Sequence, residues 1–214
     1  MLELGLKSLL AYLLGAVIGS MVVGKLRGGV DIRTQGSGNA GGTNALRTQG
    51  VGFACWVMLI DVSKGLVAVT LVPALHLANL PPDPSIAREW LIIACAVSVV
   101  AGHVYPVWHD FRGGKGAATL AGVLAGLMPI ALAPVLTTWI LTVILTGFVG
   151  LATVMAAVAF PLFLVLRDAP PQTPLLMLAV LMAVFVTYTH RSNIRRMLAG
   201  NESRARRLWL LGRR

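Results

Sequence analysis

The sequence predicts an all-α, polytopic integral membrane protein, organised as a single domain over residues 1–214. Three observations carry that prediction. The chain is 57% apolar and only 12% charged, with a mean hydropathy of +0.80, which is too apolar for a soluble domain of 214 residues. Its apolar residues fall in runs near the roughly 20 residues that a helix needs to cross the hydrocarbon core of a bilayer. The net charge of +10 sits in short loops and in the C-terminal tail between those runs. That is the cytoplasmic bias of a membrane protein and not a nucleic-acid-binding stripe.

Taken in order, the first span lies near residues 5–24, and no small-residue cleavage site follows it, so it reads as a retained helix. The loop 25–50 is rich in glycine and carries Lys25, Arg27, Arg33 and Arg47, which places it in the cytoplasm. Spans near 52–72 and 90–108 follow, joined by a proline-rich, nearly neutral outer segment, 79–89. The chain then returns to the cytoplasmic side with the loop that includes 109–116, so the N-terminus is external. No charged residue occurs from Gly116 to Leu166, a block that suits three short crossings. Arg167 to Thr173, with Pro170, Pro171 and Pro174, makes an outer turn, and a last span near 174–190 delivers the basic segment 190–214 to the cytoplasm. The result is about seven transmembrane helices, N-terminus outside and C-terminus cytoplasmic. Fourteen of the eighteen Lys and Arg then fall inside; Lys7, Arg88 and Arg167 fall outside, and Lys64 lies within a span. Gly15 with Gly19, and Gly122 with Gly126, are small-x-x-x-small pairs that allow close helix packing. Cys55 and Cys95 lie in apolar segments without metal-ligand spacing, so they read as buried packing residues, with neither disulfide nor metal.

Three polar clusters interrupt this apolar background. In the first, Gly36-Ser37-Gly38-Asn39-Ala40-Gly41-Gly42-Thr43-Asn44-Ala45-Leu46-Arg47 contains a formal G-x-G-x-x-G, but no strand precedes it and apolar spans flank it, which excludes a dinucleotide fold. What remains is a flexible backbone with hydroxyl and amide donors and one arginine, able to wrap an oxyanion. In the second, His103 precedes Gly113-Gly114-Lys115-Gly116 and Thr119. This is not a nucleotide-binding Walker loop, because His109 stands where its first glycine belongs and Gly116 follows Lys115 in place of a serine or threonine. A glycine-lined, basic turn that feeds a helix suits a smaller phosphate. The third is His190-Arg191-Ser192-Asn193 through Glu202, whose arginines alone would mean anchoring to anionic lipid; the His-x-x-Asn spacing and Glu202 go beyond that. Asp61 and Lys64, three residues apart on one helical face inside a span, form either a structural ion pair or part of the site.

In that combination and order, the clusters resemble the bacterial acyl-phosphate glycerol-3-phosphate acyltransferases, the PlsY family. Ser37-Gly38-Asn39 with Gly41, Thr43, Asn44 and Arg47 is similar to the first family motif. His103 with Pro106, Phe111 and Gly113 to Gly116 is similar to the second, and His190-Arg191 with Asn193, Arg196, Gly200 and Glu202 to the third. Tyr105 and Trp108 stand where the family usually has phenylalanines. The resemblance implies transfer of an acyl chain from acyl phosphate to the 1-hydroxyl of glycerol 3-phosphate, giving lysophosphatidic acid and phosphate. It further implies a multi-pass protein of the bacterial inner membrane, functional as a monomer among membrane lipid, with no metal or other cofactor and with the site facing the cytoplasm.

On that basis Ser37, Arg47, His103, Lys115, His190 and Asn193 are expected to be catalytic. Gly38, Asn39, Thr43, Asn44, Lys64, Gly113, Gly114, Gly116, Thr119, Arg191 and Glu202 are expected to bind substrate, and Asp61 to support the site. The base remains open between His103, His190 and a substrate phosphate. A membrane transporter of an organic phosphate is the alternative, since glycine-interrupted helix ends beside charges would serve it too. A lipid-binding module is a third reading.

Overall fold

In a bilayer every backbone N–H and C=O must find a partner within the protein, which drives the apolar runs into helices. The computed structural model describes all residues except 78–81, 168–172, 207 and 211–214, and every regular element among the described residues is helical. Pro170 and Pro171 of the expected outer turn, and residues 79–81 of the expected outer segment, lie outside the described residues.

The chain divides into two compact units, Met1–Met128 and Pro129–Arg214. The first contains α1 (Leu2–Ala16), α2 (Gly19–Leu26), α3 (Gly42–Gln49), α4 (Val51–Thr70), α5 (Arg88–Val104) and α6 (Ala117–Leu127). Here α1 packs along α5 and α4 along α6, while α2 and α3 rest on α4. Glycine allows these approaches. A Cβ on Gly15 would strike the backbone of Val99, and one on Gly102 the backbone of Tyr12. Gly65 and Gly122 meet the backbones of Thr119 and Val62 in the same way. The two small-residue pairs thus act differently: Gly122 and Gly126 both face α4, whereas Gly15 faces α5 and Gly19 faces α4. Val23, Ile32, Ala45, Phe53, Ala54 and Val57 form a buried cluster under the first polar loop.

The second unit contains α7 (Leu132–Thr146), α8 (Val149–Arg167), α9 (Thr173–Thr189) and α10 (Arg191–Leu198). Gly147, with φ 76°, stops α7 in the left-handed conformation that only glycine adopts without cost, and its N–H donates to Val143 O at 2.7 Å. α8 packs between α7 and α9, and α10 lies against α8 and α9.

Among the described residues, Val51–Ala74, Arg88–His109, Pro129–Thr146 and Val149–Arg167 are each long and apolar enough to cross a membrane. The pairs α1–α2 and α9–α10 also qualify when each is counted as one span, bent by 46° and 54°. α6, with 11 residues, is shorter than a crossing. The charge-free block 116–166, expected to make three short crossings, contains α6, α7 and all of α8 but its last residue. Three details depart from expectation. The span near 5–24 is broken at Val17–Ile18. Lys7, expected on the outer side of the membrane, lies buried with Glu3 inside α1, where Lys7 Nζ donates to Glu3 Oε1 at 2.6 Å and to Pro73 O at 2.9 Å. Cys95 is buried, but Cys55 is exposed on the side of α4.

Candidate active site

The break between α1 and α2 contains no proline; its cause is tertiary. Lys64 on α4 donates to Gly15 O at 2.8 Å and Val17 O at 2.7 Å, taking up carbonyls at the end of α1. Asp61, one helical turn earlier, accepts the N–H of Gly19, the first residue of α2, through Oδ1 at 3.1 Å. An anion thus caps the start of one helix and a cation the end of the other, each matching the local helix dipole. Lys64 Nζ and Asp61 Oδ1 are 3.0 Å apart, and both side chains are buried. Lys64 Nζ also lies 2.8 Å from His103 Nδ1 on α5. Asp61 Oδ2, Ser20 Oγ and Thr119 Oγ1 are buried without a hydrogen-bond partner among the described residues.

α5 ends at Val104 because Pro106 cannot continue it. The loop then folds back on that end: the N–H of Gly113 donates to Val104 O and that of Gly114 to His103 O, both at 3.1 Å. These two N–H groups, expected to lie bare for an anion, are therefore used inside the protein. Glycine is needed at 113 and 114 for close approach. A Cβ on Gly113 would meet His103 O, and one on Gly114 would meet the imidazole Nε2 of His103. Gly116 has φ 90° and caps α6 without a side chain, so the N–H groups of the first α6 turn have no intrahelical acceptor. Those donors, beside the half-buried Lys115, are the anion-binding feature that remains.

The first loop is organised from within by Asn44, which is 1% exposed. Its Nδ2 donates to Ile32 O at 2.9 Å and to Gln35 O and Asn39 O at 3.0 Å, while Oδ1 accepts the N–H of Ser37 at 2.9 Å. This leaves Ser37, Gly38, Thr43 and Arg47 exposed and Asn39 half-buried, around the start of α3, where Gly41 supplies no side-chain cap.

Arg33 joins the two loops. Its fork pairs with Asp31 at 2.8 to 3.2 Å, and Nη1 donates to His109 O at 3.2 Å and Arg112 O at 3.3 Å. It braces the turn in which Asp110 and Phe111, without glycine's freedom, both sit at φ 55°. The Arg33 hydrogen bond holds the Asp31 carboxyl below the usual range, and Asp31 raises the Arg33 guanidinium.

The third cluster lies in the second unit. His190, at the bend between α9 and α10, is 6% exposed, and its Nδ1 lies 2.8 Å from Val186 O. A carbonyl only accepts, so Nδ1 carries a proton. Glu202 receives Asn193 Nδ2 on Oε1 and Arg196 Nε on Oε2, both at 2.6 Å. Asn193 also packs on Gly150 of α8. Arg191 donates to Tyr188 O at 3.1 Å and lies 4.2 Å over the Tyr188 ring.

Several expected substrate contacts are therefore committed within the protein. Lys64 is 4% exposed and surrounded by four acceptors, Asn44 is spent on its own loop, and both Glu202 carboxylate oxygens are engaged. Thr119 is fully buried, with its carbonyl over Gly65. Lys64, Asn44 and Glu202 thus hold other groups of the protein, whereas Ser37, Thr43 and Arg47 are exposed. Sequence reasoning missed the brace formed by Arg33, although Asp31-x-Arg33 was a readable signal. It also left Arg204 to the tail, yet that guanidinium lies 4.6 Å from the Phe148 ring and 4.0 Å from the Trp209 ring, beside a Trp209 Nε1 bond to Leu145 O.

Residues 6–200 match the family model described as glycerol-3-phosphate acyltransferase. A glycerol-3-phosphate acyltransferase of Chlorobium limicola is 37% identical, and one of Chlorobium chlorochromatii 36% identical, each over 91% of this chain and 93% of the relative. The crystal structure of PlsY (YgiH), an integral membrane glycerol 3-phosphate acyltransferase, in its glycerol 3-phosphate form matches with a TM-score of 0.81 and 32% identity, over 94% of both chains. The lysophosphatidic acid form of the same protein matches with a TM-score of 0.78, at the same identity and coverage.

Proposed function

Because the chain belongs to the glycerol-3-phosphate acyltransferase family, we propose that it transfers an acyl chain from acyl phosphate to the 1-hydroxyl of sn-glycerol 3-phosphate, releasing lysophosphatidic acid and inorganic phosphate. The whole chain acts as one acyltransferase in the bacterial cytoplasmic membrane, as a monomer among membrane lipid, with the reaction on the cytoplasmic side. The observation that carries this reading is the pair of glycine-led helix starts in the first unit, α3 after Gly41 and α6 after Gly116, whose loops Arg33 ties together. Two phosphoryl groups must be held at once, and each helix start offers donors to one.

The start of α6 with Gly116 and Lys115, on the turn that Gly113 and Gly114 form over His103, holds glycerol 3-phosphate. Ser37, Gly38, Asn39, Thr43 and Arg47 hold the acyl phosphate and the charge that develops on its carbonyl oxygen. Phosphate is already a good leaving group, so fixed donors and cations supply most of the acceleration, each worth about 3 kcal/mol by analogy with oxyanion-hole donors. His190, Arg191 and Asn193 of the second unit are further residues required for turnover, and the hydroxyl proton goes to a histidine or to a substrate phosphate.

Purified protein in detergent, given acyl phosphate and glycerol 3-phosphate, should form lysophosphatidic acid, and Lys115→Ala should abolish it. Retained turnover in that variant with unchanged glycerol 3-phosphate affinity would sink the loop assignment. If replacing both His103 and His190 leaves the rise of activity from acidic to neutral pH in place, the substrate phosphate is the base.

A further inference from the structure

We infer that Asp61, Lys64 and His103 form a positioning relay that holds the His103 imidazole as a neutral donor, with its proton on Nε2 and directed at the Gly114 loop, so that His103 is not the base. The argument begins with hydrogens. Lys64 Nζ has three, and the carbonyls of Gly15 and Val17 take two, because a carbonyl only accepts. The third lies between Asp61 Oδ1 at 3.0 Å and His103 Nδ1 at 2.8 Å, which are themselves 3.4 Å apart. A nitrogen that receives a proton from an ammonium must present its lone pair, so Nδ1 is bare and the ring proton resides on Nε2.

Nε2 is the atom that lies over Gly114, where a side chain would displace it. The imidazole is 2% exposed, and both neighbouring loop N–H groups close on the carbonyls of His103 and Val104. The ring is therefore the floor on which the glycine turn rests, and the relay sets how the turn presents the start of α6. His190 has the opposite arrangement, with Nδ1 donating to Val186 O.

This inference rests on the assignment of the glycine loop to glycerol 3-phosphate only in its kinetic part, so the first test uses no substrate. In protein labelled with ¹⁵N-histidine, purified in detergent at neutral pH, the His103 signals are those that vanish in His103→Gln. Nδ1 should resonate as a bare ring nitrogen and Nε2 as a protonated one, and Lys64→Met should replace that pattern with averaging between tautomers. A proton on Nδ1 in the parent protein overturns the proposal. In kinetics, His103→Gln, whose amide can place an N–H near the Nε2 position, should keep kcat within about tenfold. His103→Leu should raise KM for glycerol 3-phosphate by about tenfold or more and leave KM for acyl phosphate within about twofold. If His103→Gln loses the rise of kcat between acidic and neutral pH while its KM values hold, His103 is the base and the relay is refuted. If the tautomer is as stated but KM changes for acyl phosphate alone, the loop assignment fails and the relay stands.

Discussion

Replacing Asn44 by alanine isolates the order of the first loop from its chemistry. The amide has two N–H groups shared among the carbonyls of Ile32, Gln35 and Asn39, and one oxygen that holds the N–H of Ser37. At 1% exposure no solvent replaces them. Three net hydrogen bonds at about 1 kcal/mol each amount to about 3 kcal/mol. Spent against the ordered loop, that lowers its population, and with it kcat/KM, by about 100-fold. Asn44→Asp should be worse: it keeps the acceptor for Ser37 but sets a carboxylate against three carbonyls. The assay is lysophosphatidic acid formation in detergent with each substrate varied in turn, beside a melting curve. Activity of Asn44→Ala within about threefold of the parent would refute the reasoning. A defect confined to KM for one substrate, with the Asp variant no worse, would instead make Asn44 a direct ligand.

Gly114→Ala drives a Cβ into an imidazole that cannot retreat from Lys64, an overpacking cost of about 1–3 kcal/mol, so activity should fall about 10- to 100-fold. In a His103→Ala background the same change should cost little, which a double-mutant cycle measures. Arg33→Lys keeps the charge but loses the fork on Asp31 and the two carbonyl contacts that brace Asp110 and Phe111, so kcat/KM should drop about tenfold while the melting temperature moves by only a few degrees. The Asp31 carboxyl is depressed in the folded state, so its contribution is present at neutral pH and is lost only as pH falls through a value below the usual carboxylate range. Melting curves taken from neutral pH downward should show that loss, and Asp31→Asn should remove it.

The sequence made the helical class and the three polar clusters legible because each is local: an apolar run, a glycine beside a lysine, an arginine after a span. It also exposed Asp61 and Lys64, since two charges in an apolar helix demand an account. Their partners were hidden, because Gly15, Val17, Gly19 and His103 lie 39 to 49 residues away. For the same reason the break at Val17 was invisible: no proline marks it, and the carbonyls that leave the helix are drawn out by a side chain from another segment. Glu202 stood out as more than an anchor and was expected to bind substrate, because a carboxylate reads alike whether it meets substrate or an Asn193 amide and an Arg196 guanidinium. The glycines at 113 and 114 showed the converse failure. Their composition suggested open N–H groups, whereas their use is to admit a ring and close a turn.

The capping of the α1–α2 break from α4 also bears on how the protein enters its membrane. Taken alone, α4 carries an aspartate and a lysine near its centre, each costing about 3 kcal/mol on insertion. Their partners, the end of α1 and the start of α2, are made earlier in the chain. During biogenesis the bent span α1–α2 therefore acts as a template: α4 leaves the translocon at low cost only when that broken helix is already waiting beside it, and a chain lacking its first segment would stall at its second.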